Sequence, residues 1–134
     1  MTAARRKVDH ADTLAATLHR LRFPDCEREY RFAAHLVGGP GKGLRARLLE
    51  AGLRDWRFDL AWAALKVATE VDGGVWTGGR HGRGAGMVSD RAKLSTAVSY
   101  GWRVLVVTPE HIKSGEAAEW IGRTLGCDAW RRIL

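Results

Sequence analysis

From Trp56 to Trp62 every second residue is large and apolar: Trp56, Phe58, Leu60 and Trp62 alternate with Arg57, Asp59 and Ala61. A period of two predicts a strand with one face turned to a core. The rhythm returns at Leu65, Val67, Thr69 and Val71, interleaved with Lys66, Ala68, Glu70 and Asp72. If an even-length turn near Ala63 and Ala64 joins the two strands, Asp59 faces the same side as Glu70 and Asp72. A slip of one residue would push the acids onto the apolar face, so the hydrophobic pattern fixes the register.

The remaining pattern supplies the surrounding elements. Leu14, Leu18 and Leu21 share one helical face, predicting a helix over 9–22 with Asp9 or Asp12 as its cap and Pro24 as its stop. Residues 28–32 read as a short strand. The glycines and Pro40 that follow make a loop, and 44–51 form a short helix ending at Gly52. After a glycine-rich loop over 73–86, residues 89–100 are a helix with Asp90 in its first turn, ended by Gly101. Residues 102–108 are nearly continuously apolar, as in a strand covered on both faces. Pro109 leads into a last helix over 114–125. The order αβββαβα predicts an α/β domain, a mixed four-stranded sheet flanked by helices.

With 134 residues and 46% hydrophobic content, the chain suits a single domain over 1–134 with a real core. Residues 1–8 read as a basic arm and 38–55 as an insertion. No apolar run approaches the ~20 residues of a membrane span, and Met1 opens no signal peptide, so a soluble cytoplasmic protein is expected. Cys26 and Cys127 have no CxxC partner and fit idle or buried thiols. The net charge of +7, from 22 Lys and Arg against 15 Asp and Glu, favours a polyanionic partner.

In so basic a chain, three carboxylates on one sheet face need a reason. A hard cation resolves their repulsion, since Mg²⁺ takes carboxylate oxygens together with waters and substrate phosphate. The expected chemistry is metal-assisted phosphodiester hydrolysis with Mg²⁺, or Mn²⁺ in its place. Asp59 and Glu70 are the candidate ligands; Asp72 is a third ligand or a base for the attacking water. The competing account of the acids is a solvated face paired with Arg57 or Lys66.

The segments Arg57–Trp62 and Thr69–Gly74 resemble the core of the PD-(D/E)xK nucleases, in which Asp and a later Glu-x-Lys sit on adjacent strands. Together with Arg80–Gly84, Asp90–Lys93 and Gly101–Thr108 they are most similar to the Vsr-like and phage-type Holliday junction resolvase branch. The likeness runs over most of residues 9–125. It implies a restriction-endonuclease-like fold, metal-binding roles for Asp59 and Glu70, and an acid on the first helix, which falls at Asp12; a helix cap is the other reading of that residue. The familiar motif has Lys where this chain has Asp72. Lys66 shares the face but is four residues from Glu70, roughly 13 Å along a strand, too far to replace it. Lys93 matches the branch's helical lysine, and its alternative is an ordinary solvated lysine.

His81 in the glycine-rich loop is a candidate general acid or base, or a phosphate contact. Arg80, Arg83, Lys42 and Arg57 are candidate DNA contacts, since cations and above all the guanidinium fork match phosphate. Gly41-Lys42 is no phosphate loop, because Leu36 and Gly43 stand where such a loop needs Gly and Ser or Thr. Trp56, Trp62 and Trp102 are read as core, and Trp76 as a residue able to stack on a base. These features point to a Mg²⁺-dependent, structure-selective DNA endonuclease. A four-way junction is the leading substrate and a homodimer the expected assembly, in a bacterium or phage-infected cell. The rivals are a Vsr-like enzyme nicking mismatched or linear DNA, a non-catalytic DNA-binding module of the same fold, and an enzyme acting on RNA.

Overall fold

The computed structural model describes residues 9–73 and 85–128. Helix α1 (His10–Arg20) starts where the Asp9 carboxylate accepts the N–H groups of Ala11 at 2.9 Å and Asp12 at 3.2 Å, so Asp9 is the cap. Strand β1 (Glu27–Tyr30) and two short helices, α2 (Phe32–Leu36) and α3 (Leu44–Ala51), lead into β2 (Phe58–Trp62). A single 3₁₀ turn, Ala63–Leu65, joins β2 to β3 (Val67–Val71). Then come α4 (Ala85–Ser99), β4 (Arg103–Val107), α5 (Pro109–Ser114) and α6 (Glu116–Leu125).

The four strands form one mixed sheet in the order β1-β2-β3-β4. The first three are antiparallel neighbours, and β4 runs parallel to β3. Helices cover both faces. Leu14 and Leu18 of α1 and Ile121 of α6 pack with Leu60, Trp62, Val67 and Val107. Phe32 of α2, Ala97 of α4 and Trp102 pack with Phe58, Ala61 and Ala68. The Phe32 and Phe58 rings stack with centroids 4.1 Å apart.

The hairpin has the expected register. Leu60 pairs with Thr69, Ala61 with Ala68 and Trp62 with Val67, so one step further Asp59 stands opposite Glu70. Four residues, Ala63 to Lys66, connect the strands, an even number as the alternation requires. Lys66 closes the turn at φ 52° and donates from its ammonium to the Tyr100 carbonyl at 3.2 Å. This capping contact ties the turn to the end of α4, where Gly101 takes a φ of 90° that suits glycine.

Four expectations change. The element order gains α2, because Phe32 opens a helix instead of ending a strand; five residues are too few to carry a helical period. Pro109 is the first residue of α5, not a break before a later helix: Thr108 caps it, with His111 completing a capping box. Helix α4 starts at Ala85, which moves Asp90 out of the first turn. Finally, β4 lies at the sheet edge and Val106 is 48% exposed, so this apolar strand is not covered on both faces.

Candidate active site

The alternating strands bring Asp59 and Glu70 together at one end of the sheet. Asp59 Oδ2 accepts the Val71 N–H at 2.7 Å. A side chain thus takes the place of a ladder carbonyl where β2 and β3 part, and the carboxylate is held against the backbone of β3. Its own carbonyl accepts from Arg28 Nε at 3.0 Å, which fixes the same residue from the β1 side.

Glu70 Oε1 is shielded from solvent, and the Lys93 ammonium of α4 rests against it. Both side chains are mostly buried, with 17% and 18% of their surface exposed. The ammonium also lies 5.8 Å from the centre of the Phe58 ring, whose face favours a cation. Burial pushes the Glu70 carboxyl up to about 7. Lys93 draws it down through its hydrogen bond and charge; the Asp59 carboxylate, within hydrogen-bonding reach, pushes it further up. A carboxyl this perturbed, beside a second acid and a lysine, marks a site where charge is managed.

A cavity of about 340 Å³ opens beside the pair, lined by Glu70, Asp72, Asp90, Lys93 and the exposed Val106. Asp72 follows the last residue of β3, and its N–H continues the ladder to the Val107 carbonyl at 2.8 Å. It faces this cavity from the exposed rim. Among the described residues, no group of three His, Cys, Asp or Glu side chains is gathered closely enough to hold a metal ion. The three carboxylates thus do not gather into one such group: Asp59 stands opposite Glu70, and Asp72 lines the cavity with Glu70 from its exposed rim.

Asp12 meets the site through a neighbour. Its carboxylate pairs with Arg28, which also lies 4.0 Å from Asp9. That guanidinium links the α1 acid to the site, since its Nε holds the Asp59 carbonyl. Lys66 is engaged at the far end of α4, as its distance implied. Arg57 lies 3.6 Å from Asp55 and stays partly exposed two residues before Asp59; Lys42 is exposed in the loop before α3. Trp56 and Trp102 pack with the aromatic cluster and Trp62 with the opposite core, its indole N–H donating to the Pro24 carbonyl at 2.9 Å. Trp76, Arg80, His81 and Arg83 lie outside the described residues.

Two participants escaped the sequence reading. Arg28 links α1, β1 and Asp59, a long-range contact with no local signature. Asp90 lines the cavity one turn before Lys93; their three-residue spacing on α4 puts them on neighbouring positions, a signal that was available.

The donor set suits Mg²⁺. In phosphate-handling sites this ion uses one or two carboxylates and completes its shell with water and substrate oxygens. An opposed Asp–Glu pair, one member held back from ionising by burial, has that composition. No protein-family model, no curated protein and no solved structure matches the chain. Among the described residues, no helix is long and apolar enough to cross a membrane.

Proposed function

We propose that this protein is a metal-dependent DNA endonuclease with a restriction-endonuclease-like core, hydrolysing phosphodiester bonds at branched DNA, above all four-way junctions. The opposed Asp59–Glu70 pair backed by Lys93 carries this reading. In the PD-(D/E)xK motif a lysine follows the glutamate by two residues. In this chain Asp72 occupies that position, and the helical Lys93 delivers its ammonium to the same glutamate. The net charge of +7 and the mixed sheet flanked by helices agree with it.

Asp59 and Glu70 would hold Mg²⁺, which when bound polarises the phosphoryl oxygen and acidifies an attacking water. The protein's own groups do the rest. The Asp59–Val71 and Arg28–Asp59 hydrogen bonds keep one ligand from swinging away, so little reorganisation is needed as substrate arrives. Lys93 sets positive charge beside the phosphate as its negative charge grows. Asp72, at the cavity rim, takes the proton from the attacking water. Glu70 must be ionised to bind the metal, and its high pKa ties that step to near-neutral pH.

Four-way junctions have two-fold symmetry, so paired cuts call for a homodimer with two such sites. The test is a substrate panel. Purified protein is incubated with a labelled four-way junction, a mismatched duplex, a plain duplex and an RNA duplex, with Mg²⁺ or with EDTA. Symmetric cuts in opposing junction strands, with Mg²⁺ alone, are expected. Cleavage confined to mismatched duplex or RNA would overturn the junction assignment, and no cleavage of any member would overturn the enzyme.

A further inference from the structure

The segment between β1 and β2 has no part in the chemistry above. Its α3 carries an apolar groove of about 550 Å³ floored by Leu44, Leu48, Leu49 and Leu53 and rimmed by Arg45 and Arg54. Leu49 is 79% exposed, more than any other large apolar side chain described. The loop before α3 is built with equal care. One guanidinium, that of Arg47, donates to the carbonyls of Val37 at 2.5 Å, Gly39 at 2.9 Å and Lys42 at 3.2 Å. It pins three carbonyls of the loop while Lys42 stays exposed to solvent. Asp55, an acid on this surface, is neutralised by Arg31 through two hydrogen bonds, 3.1 and 2.6 Å, and by Arg57 at 3.6 Å.

Strand register locates this surface. Tyr30 pairs with Phe58, so Arg31, Arg57 and the α3 segment leave the sheet at the end where Asp59 meets Glu70. Cations thus run from Lys42 and Arg45 through Arg54 to Arg57, two residues from the carboxylate pair. An isologous contact between two copies would bring two patches of the same positive sign together, which disfavours a second copy as the occupant. An acidic peptide helix would fill the groove but leave the exposed Lys42 ammonium, beyond its rim, without use.

We infer that the α3 segment is a second DNA-docking surface: Lys42, Arg45 and Arg54 hold the backbone of an arm flanking the cut, and Leu49 abuts the unstacked base pair at the branch point. This rests on the nuclease reading for its substrate, but not on cleavage. Apolar wedges are used where a base step is already opened, because the unstacking cost is then low. Phosphate contacts position without reading sequence, while Leu49 supplies preference for a branch.

The test measures binding in EDTA, where no cutting occurs, with four-way junction and plain duplex across a salt series. Wild type is compared with an Arg45→Ala/Arg54→Ala double variant and with Leu49→Ala, each checked for an unchanged circular dichroism spectrum and melting temperature. The arginine variant is expected to bind both DNAs more weakly, with a salt slope shallower by about 2. Leu49→Ala is expected to lose about tenfold in junction affinity with duplex affinity unchanged. An arginine variant with wild-type affinity and slope would overturn the surface, as would competition for it by an acidic leucine-rich peptide without loss of DNA. A Leu49→Ala protein with an unchanged junction-to-duplex ratio would overturn the branch-point contact. Because cleavage is scored separately, binding through α3 without cutting would sink the enzyme and spare this surface; cutting without it would do the reverse.

Discussion

Asp59 of β2 accepts the backbone N–H of Val71 in β3 at 2.7 Å, so a single carboxylate both ends the hairpin ladder and faces Glu70. The two roles separate by substitution. Asp59→Asn keeps an amide oxygen to accept the bond and loses only the charge. Asp59→Ala strands the donor, at a cost of about 1–3 kcal/mol. Denaturant unfolding should therefore show Asp59→Ala clearly destabilised and Asp59→Asn nearly unchanged, while Mg²⁺ binding is lost in both.

Metal affinity should follow the ionisation of Glu70. Its folded pKa of about 7 stands above the ordinary 4.5 because of burial first and Asp59 second. Below pH 7 the proton competes with the cation, so Mg²⁺ affinity by titration calorimetry should fall about tenfold per pH unit and level off above 7. Without divalent ions the folded state keeps a proton that the unfolded chain releases between about 4.5 and 7. Stability from this group therefore declines as pH rises through that window and is flat beyond it. Melting temperatures with EDTA should show the decline, and excess Mg²⁺ should reverse it.

Lys93 has two measurable effects. Its ammonium lies against Glu70 and pulls that carboxyl toward ionisation. Lys93→Met should lower the single-turnover cleavage rate by roughly 10²–10³, the range for loss of one group that stabilises transition-state charge. It should also move the acidic limb of the pH–rate profile to higher pH. A rate loss with an unmoved limb would separate Lys93 from Glu70.

Arg28 is a positioning residue. It holds the Asp59 carbonyl at 3.0 Å through Nε and pairs with Asp12 through its terminal nitrogen. A lysine cannot serve both with fork geometry. Arg28→Lys should weaken Mg²⁺ binding and slow cleavage while leaving DNA affinity in EDTA unchanged. Asp12→Asn, which frees the outer end alone, should have a milder effect on both.

Elements whose periodicity is strong were legible before folding. The bounds 44–51 of α3, closed by Gly52, and the facing of Asp59 and Glu70 both follow from local pattern and turn length. What escaped depends on partners distant in sequence. Phe32 opens a five-residue helix because Phe58 offers a ring to stack on, 26 positions later. Val106 looked like an interior residue because an edge strand and a central strand share the same apolar composition. Asp12 had two readings, the acid on the first helix or its cap; the cap is Asp9, and Asp12 pairs with Arg28, a partner sixteen residues away. Asp72 shares Glu70's face by alternation and lines the same cavity, though it stands one residue past the strand.

The most direct measurement is Mg²⁺-dependent cleavage of a labelled four-way junction by wild-type protein beside Asp59→Asn, both shown to be folded. The account predicts paired incisions by the wild type, none in EDTA, and a loss of at least a hundredfold in the variant, the lower range for removing one transition-state-stabilising group. Equal incision by the two proteins, or incision that persists in EDTA, would contradict it.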